Sequence, residues 1–144
     1  MNPSLSKALT VLRLGMGWYF FYAGISKIID PAWSAAGYLS NASTFPELFL
    51  WLAEPGRIEV VSIVNEWGLL LIGVSLIVGL GVRWASYAGI ILMVLYWLPG
   101  LDFPHAGHGF IVDYHIIFGL VFVVLISGCA GRYLGLDGWM SRRS

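Results

Sequence analysis

The run Asp102-Phe-Pro-His105-Ala-Gly-His108-Gly-Phe-Ile-Val-Asp113-Tyr-His115 holds all three histidines of the chain and two of its carboxylates. Such ligands can take zinc or a non-haem iron. Their spacings match no compact helical pair such as i, i+4, and Gly107 and Gly109 leave the run pliable, so no metal is expected. Histidine also exchanges protons near neutral pH, which suits it to acid–base work. Other ionisable groups stand inside apolar stretches, where a charge at a helix centre costs about 2.5–3.5 kcal/mol. These are Arg13, Lys27 and Glu66, with Asn65 preceding Glu66. Lys27 can snorkel from a helix end. Glu66 lies roughly 9 Å inside its stretch, too deep for its short side chain. It must pair, protonate or line a wet cavity. Cys129 is the only cysteine, which excludes an intrachain disulfide, a C-x-x-C pair and a thiolate zinc site.

The elements that must position these groups follow from composition. Of 144 residues, 58% are hydrophobic and only 11% charged, and the mean hydropathy is +0.80. A soluble domain carries about 25% charged residues, so this is an integral membrane protein. Aromatics at 15% suit two membrane–water interfaces. Zero net charge argues against nucleic acid as a partner. A helix crosses the hydrocarbon layer in about 20 apolar residues, and four stretches qualify, at about 8–29, 60–80, 84–98 and 111–130. Arg13 splits the first, which makes it a poor cleaved signal. The expected fold is an all-α integral membrane four-helix bundle within a single transmembrane domain, 1–144. Pro46 and Pro55 bracket a short amphipathic stretch, so one or two interfacial helices are expected in the first outer loop, 32–59. Lys7, Arg83, Arg132, Arg142 and Arg143 cluster on one side, which predicts both termini inside.

In that frame Lys27, Asp113 and His115 sit at the outer surface with Glu66 just beneath. All four can meet around one outward-opening cavity, with Phe20, Phe21, Trp67 and Tyr114 nearby. His115 is the best proton acceptor for an outward-facing quinone pocket. A haem is not expected, since only His115 among the histidines lies in a span. Arg13, Gly17, Gly24 and Lys27 share one helical stripe, and Glu66 and Gly73 share another. Two such glycine-bearing faces would pack closely on each other.

The segment Leu12-Arg13-Leu-Gly-Met-Gly17-Trp-Tyr-Phe-Phe-Tyr-Ala-Gly24-Ile-Ser-Lys27 resembles the first helix of the DoxX/DoxD-like membrane family. Asn65-Glu66-Trp67-Gly68, the Gly79-Leu-Gly-Val-Arg83 turn, Val112-Asp113-Tyr114-His115 and Ala130-Gly-Arg132-Tyr-Leu-Gly-Leu-Asp137 extend the resemblance over nearly the whole chain. It implies a small four-helix, multi-pass protein of the prokaryotic cytoplasmic membrane. It also suggests a redox-linked subunit, like the DoxD subunit of thiosulfate:quinone oxidoreductase, working with a second redox subunit. The intramembrane charges assign the roles: Glu66, His115 and Asp113 as proton-handling catalytic residues, and Arg13, Lys27 and Asn65 as quinone contacts. A non-catalytic membrane scaffold would use the same charges as structural pairs, and a third reading is a carrier of small molecules or lipid acting as a homo-oligomer. Membrane lipid is a partner in every case.

Overall fold

A computed structural model describes residues 2–106 and 109–142. His108 and Arg143 lie outside the described residues. The described residues form seven α-helices and one 3₁₀ turn, with no strand: α1 Pro3–Ile28, α2 Ala36–Ser40, α3 Pro46–Leu52, α4 Ile58–Val78, α5 Val82–Trp97, α6 Tyr114–Ser127, the 3₁₀ turn Ala130–Arg132, and α7 Leu136–Met140. Their boundaries have local causes. The Asn2 side chain accepts the Ser4 N–H at 3.0 Å and Pro3 opens α1, both strong helix starters. Gly79 closes α4 in the left-handed region at φ 73°, where an L side chain would be strained. Asp113 caps α6 by accepting the N–H groups of His115 and Ile116.

That cap corrects the expected fourth helix of 111–130. Ile111 and Val112 belong to the preceding loop, and the helix ends at Ser127 before Gly128. With 14 residues, α6 is about 21 Å long, and α5 with 16 is about 24 Å. Only α4 is both long and apolar enough to cross a membrane by itself; α5 and α6 are shorter apolar helices. The longer α1 carries Lys7, Arg13 and Lys27.

Close packing explains the glycine stripes. Helix α1 lies along α4, α5 along α6, and α4 meets α5 through the short turn between them. A Cβ at Gly24 would overlap the Leu70 backbone, and one at Gly73 would overlap Phe21. The backbones of α1 and α4 therefore touch where side chains would hold them apart. Met16, Phe20, Leu69, Ile72, Leu76, Met93, Phe122 and Leu125 fill the common core. Ala35, Leu39 and Phe49 form a second, smaller cluster within the 29–57 loop. That loop is thus a folded lid, tied down where Ala35 N–H donates to Ser62 Oγ at 3.2 Å and Ser43 N–H to the Pro99 carbonyl at 2.9 Å.

Candidate functional site

Beneath this lid lies a cavity of about 280 Å³, bounded by α1, α4, α5, α6 and the 33–38 segment. Its size is at the low end of ligand pockets, roughly 300–1,000 Å³. Most of its wall is apolar or aromatic, including Phe20, Leu69, Met93 and Phe118. The polar groups that interrupt the wall are few.

His115 is one of them, buried in the first turn of α6. The Asp113 cap makes this histidine a dyad. Asp113 Oδ1 accepts the His115 N–H at 2.9 Å and the Ile116 N–H at 3.2 Å, while Oδ2 stands 2.6 Å from His115 Nδ1. A helix start therefore orients the ring. With Nδ1–H donated to the carboxylate, a neutral imidazole presents Nε2 as an acceptor. Nε2 has no hydrogen-bond partner among the described residues. The ring packs against Tyr96, centroids 5.6 Å apart, and Tyr114, 4.0 Å apart.

Asn65 is the second polar group, 8% exposed on α4. Its Nδ2 donates to the Tyr96 hydroxyl at 2.6 Å, leaving Oδ1 buried with no partner. Exchanging the amide ends would only move the deficit to Nδ2, since the buried side chain has one hydrogen-bond contact. An unsatisfied buried polar atom costs about 1–3 kcal/mol. In a cavity wall, that vacancy fits a ligand hydroxyl, which can donate to Oδ1. Tyr96, having accepted from Asn65, retains its own hydroxyl proton to donate.

Lys27 closes the set at the lid. Its Nζ bonds the Ala23 carbonyl at 3.3 Å and lies 5.2 Å from the Trp33 ring centroid. Lys27 interacts electrostatically with Glu66, which is half-buried and does not line the cavity. Tyr38 in the lid donates to the Tyr96 carbonyl. Burial, reinforced by Tyr114 and Asp113, raises its phenol above the usual 10.0.

Lys27, Asn65 and His115 thus meet at one cavity, Asp113 stands behind His115, and Glu66 stands behind Lys27. Arg13 does not join them. It is 1% exposed and lies at the opposite end of the helices, donating to the carbonyls of Ala130 at 3.1 Å, Tyr133 at 3.3 Å and Leu134 at 3.0 Å. Its charge faces Asp137. Of the expected aromatics, Phe20 and Tyr114 line the cavity; Phe21 packs toward α4, and Trp67 is half exposed on the outside. Asp102 and His105 pair through their backbones in the loop after α5. Among the described residues no three His, Cys, Asp or Glu side chains form a metal-binding group.

Sequence reasoning missed Tyr96, Tyr38, Trp33, Tyr19 and Phe118. The available signal was Tyr96, a polar tip at the same end of its helix as Asn65. The seam between α1 and α6 was not legible at all. It is closed by rings, with Tyr19–Phe118 centroids 4.9 Å apart, Phe20–Phe118 6.2 Å and Phe20–Phe122 5.2 Å.

No curated protein and no solved structure matches the chain. A family model does match, DoxX, over residues 8–100. The matched stretch contains Arg13, Lys27, Asn65 and Tyr96, whereas Asp113 and His115 lie beyond it. Spanning α1 through α5 and most of the chain, the match shows that this protein belongs to the DoxX family.

Proposed function

We propose that this protein is a DoxD-like, redox-linked subunit of the prokaryotic cytoplasmic membrane that binds quinone in the cavity beneath the 29–57 lid. In this reading all four long helices cross the membrane as a bundle. Both termini lie inside, the lid faces outward, and a second redox subunit exchanges electrons with the site. The observation that carries the reading is the unpartnered amide atom of Asn65 in the same apolar cavity as the free Nε2 of His115. The two hydroxyls of the reduced ring, the quinol, match two acceptors on a mostly apolar and aromatic wall.

Each side chain then has a role. The Asn65 amide and the Tyr96 hydroxyl hold one ligand oxygen. His115 Nε2 takes up a proton from a ligand hydroxyl, and the Asp113 carboxylate stabilises the imidazolium that results. Lys27 and Glu66, at the lid, offer a route for that proton toward the outer surface. The ammonium of Lys27 also favours negative charge on a bound oxygen. Quinone, when bound, supplies paired electron and proton chemistry that no side chain of this protein can supply. The ring-closed seam between α1 and α6 suits entry from the bilayer, because rotating Tyr19 and Phe118 disturbs no backbone packing.

The test is mass spectrometry of quinone carried by gently extracted protein. The wild type is expected to carry it stoichiometrically, N65L and H115F to lose most of it, and W67A, altered on the outer surface, to keep it. Equal quinone content in wild type and N65L would overturn the reading.

A further inference from the structure

At the opposite end of the helices a second cavity, about 290 Å³, lies between the start of α5, the end of α6 and the 3₁₀ turn. Arg83 and Arg132 stand on its rim, brought together from separate parts of the chain. Neither forms an ion pair among the described residues, where the pairs are Glu54–Arg57 and Asp113–His115. Arg83 lies 6.0 Å from the Tyr87 ring centroid. The one carboxylate in the lining, Asp137, is already engaged. Its Oδ1 accepts Gly81 N–H at 2.8 Å and its Oδ2 accepts Val82 N–H at 3.2 Å. Arg13, buried nearby, offsets its charge. Arg142 is not in the lining, and its Nε is held on the Gly138 carbonyl at 3.1 Å. The inner wall is apolar, formed by Leu125 and Ile126. Trp84 and Trp139 are exposed at this end, as expected of side chains at headgroup level.

We propose that this second cavity binds the phosphate of an acidic phospholipid, with Arg83 and Arg132 as its clamp. Two guanidinium forks recognise phosphate oxygens bidentately. Basic pockets between helices at the cytoplasmic face hold acidic headgroups in this manner. A free phosphate ion would satisfy the arginines equally. The Leu125–Ile126 wall favours the lipid, because it continues to the exposed apolar face of α6 at Val123 and Val124, where an acyl chain can lie. The site is separate from the cavity beneath the lid and does not depend on what that cavity binds.

Cys129 supplies the probe, since it is the only cysteine, is exposed, and lines this cavity. The experiment measures the rate of maleimide labelling in nanodiscs of phosphatidylcholine, of phosphatidylcholine with phosphatidylglycerol, and of phosphatidylcholine with inorganic phosphate in solution. Two arginines give a roughly thirtyfold preference for the acidic lipid, about fivefold each. Phosphatidylglycerol is expected to slow labelling at least fivefold in the wild type and in R142Q, which alters a cation outside the lining, and to have no effect on R83Q/R132Q. Native mass spectrometry of the wild type should show phosphatidylglycerol retained over phosphatidylcholine, a readout that needs no variant to fold. Protection that persists in R83Q/R132Q, equal retention of the two lipids, or protection lost equally in R142Q would overturn the site. Full protection by inorganic phosphate would overturn the lipid assignment.

Discussion

Asp113 holds His115 from two sides: Oδ1 accepts its backbone N–H at 2.9 Å and Oδ2 faces its ring Nδ1 at 2.6 Å. The residue that starts the helix is therefore the residue that sets which ring nitrogen is left for the cavity. Capping and positioning can be separated by substitution. Asn caps about as well as Asp, whereas Ala costs about 1 kcal/mol. D113N is expected to melt within a few degrees of the wild type and D113A clearly lower. Both should lose proton acceptance at Nε2, read as quinol oxidation by membranes supplied with an electron acceptor. Unchanged oxidation in D113N would show that the carboxylate serves the helix alone.

Asn65 should separate stability from binding. In N65L the orphaned acceptor disappears, which offsets the donor that the Tyr96 hydroxyl loses, so the net change in stability is expected within about 1 kcal/mol. The melting temperature should stay within a few degrees of the wild type, while quinone affinity falls about tenfold, the equivalent of one lost hydrogen bond. Titration of decylubiquinone into nanodisc-embedded protein, together with a thermal melt, checks both halves.

Arg13 should show the reverse pattern. Removing the guanidinium in R13M strands the carbonyls of Ala130 and Leu134, and breaking a buried charged contact costs about 3–5 kcal/mol. The expected result is a marked fall in melting temperature with early proteolysis after Cys129. Protein that stays folded should bind quinone as the wild type does.

Glycines on α4 offer a paired control. A Cβ at Gly73 would overlap Phe21, whereas one at Gly68 meets nothing within 4 Å. G73A should destabilise by about 1–3 kcal/mol through overpacking. G68A should be neutral or stabilising by up to about 1 kcal/mol, the helix-propensity difference. Thermal melts of the two variants decide it.

The lid should loosen in alkali. Burial, with Tyr114 and Asp113 adding to it, raises the Tyr38 phenol above the usual 10.0, so the folded lid favours the neutral form. As pH rises past about 10 the unfolded lid ionises first. Stability present below that pH is then lost toward the folded value. Proteolysis of the 29–57 loop should accelerate above pH 10 in the wild type. In Y38F, which also lacks the bond to the Tyr96 carbonyl, it should start faster and rise less.

What the sequence determined by itself was the set of four long helices, the short helices of the 29–57 loop and the depth of the polar residues. Apolar length, the Asp30-Pro31 stop, the Gly79–Gly81 turn and the proline-bracketed segment at 46–55 are local signals, and local signals set where helices begin and end. Depth follows at 1.5 Å per residue, which is why Lys27, Glu66, Asp113 and His115 were legible as neighbours at one end. Even so, the fourth helix was drawn too long, because a cap at Asp113 ends the helical count more firmly than the apolar Ile111 and Val112 extend it.

Only the tertiary structure decided which groups at that depth turn inward. Asn65 and Glu66 are consecutive on one helix, and a step of 100° sends the amide into the cavity while the carboxylate stands behind Lys27. The sequence placed Arg13 on the same helical stripe as Lys27, as a quinone contact. Its partners lie far along the chain, among the carbonyls of Ala130 and Leu134 in the segment that holds the 3₁₀ turn and precedes α7. A buried guanidinium takes the acceptors that folding brings to it, and sequence spacing carries no record of contacts made across more than a hundred residues.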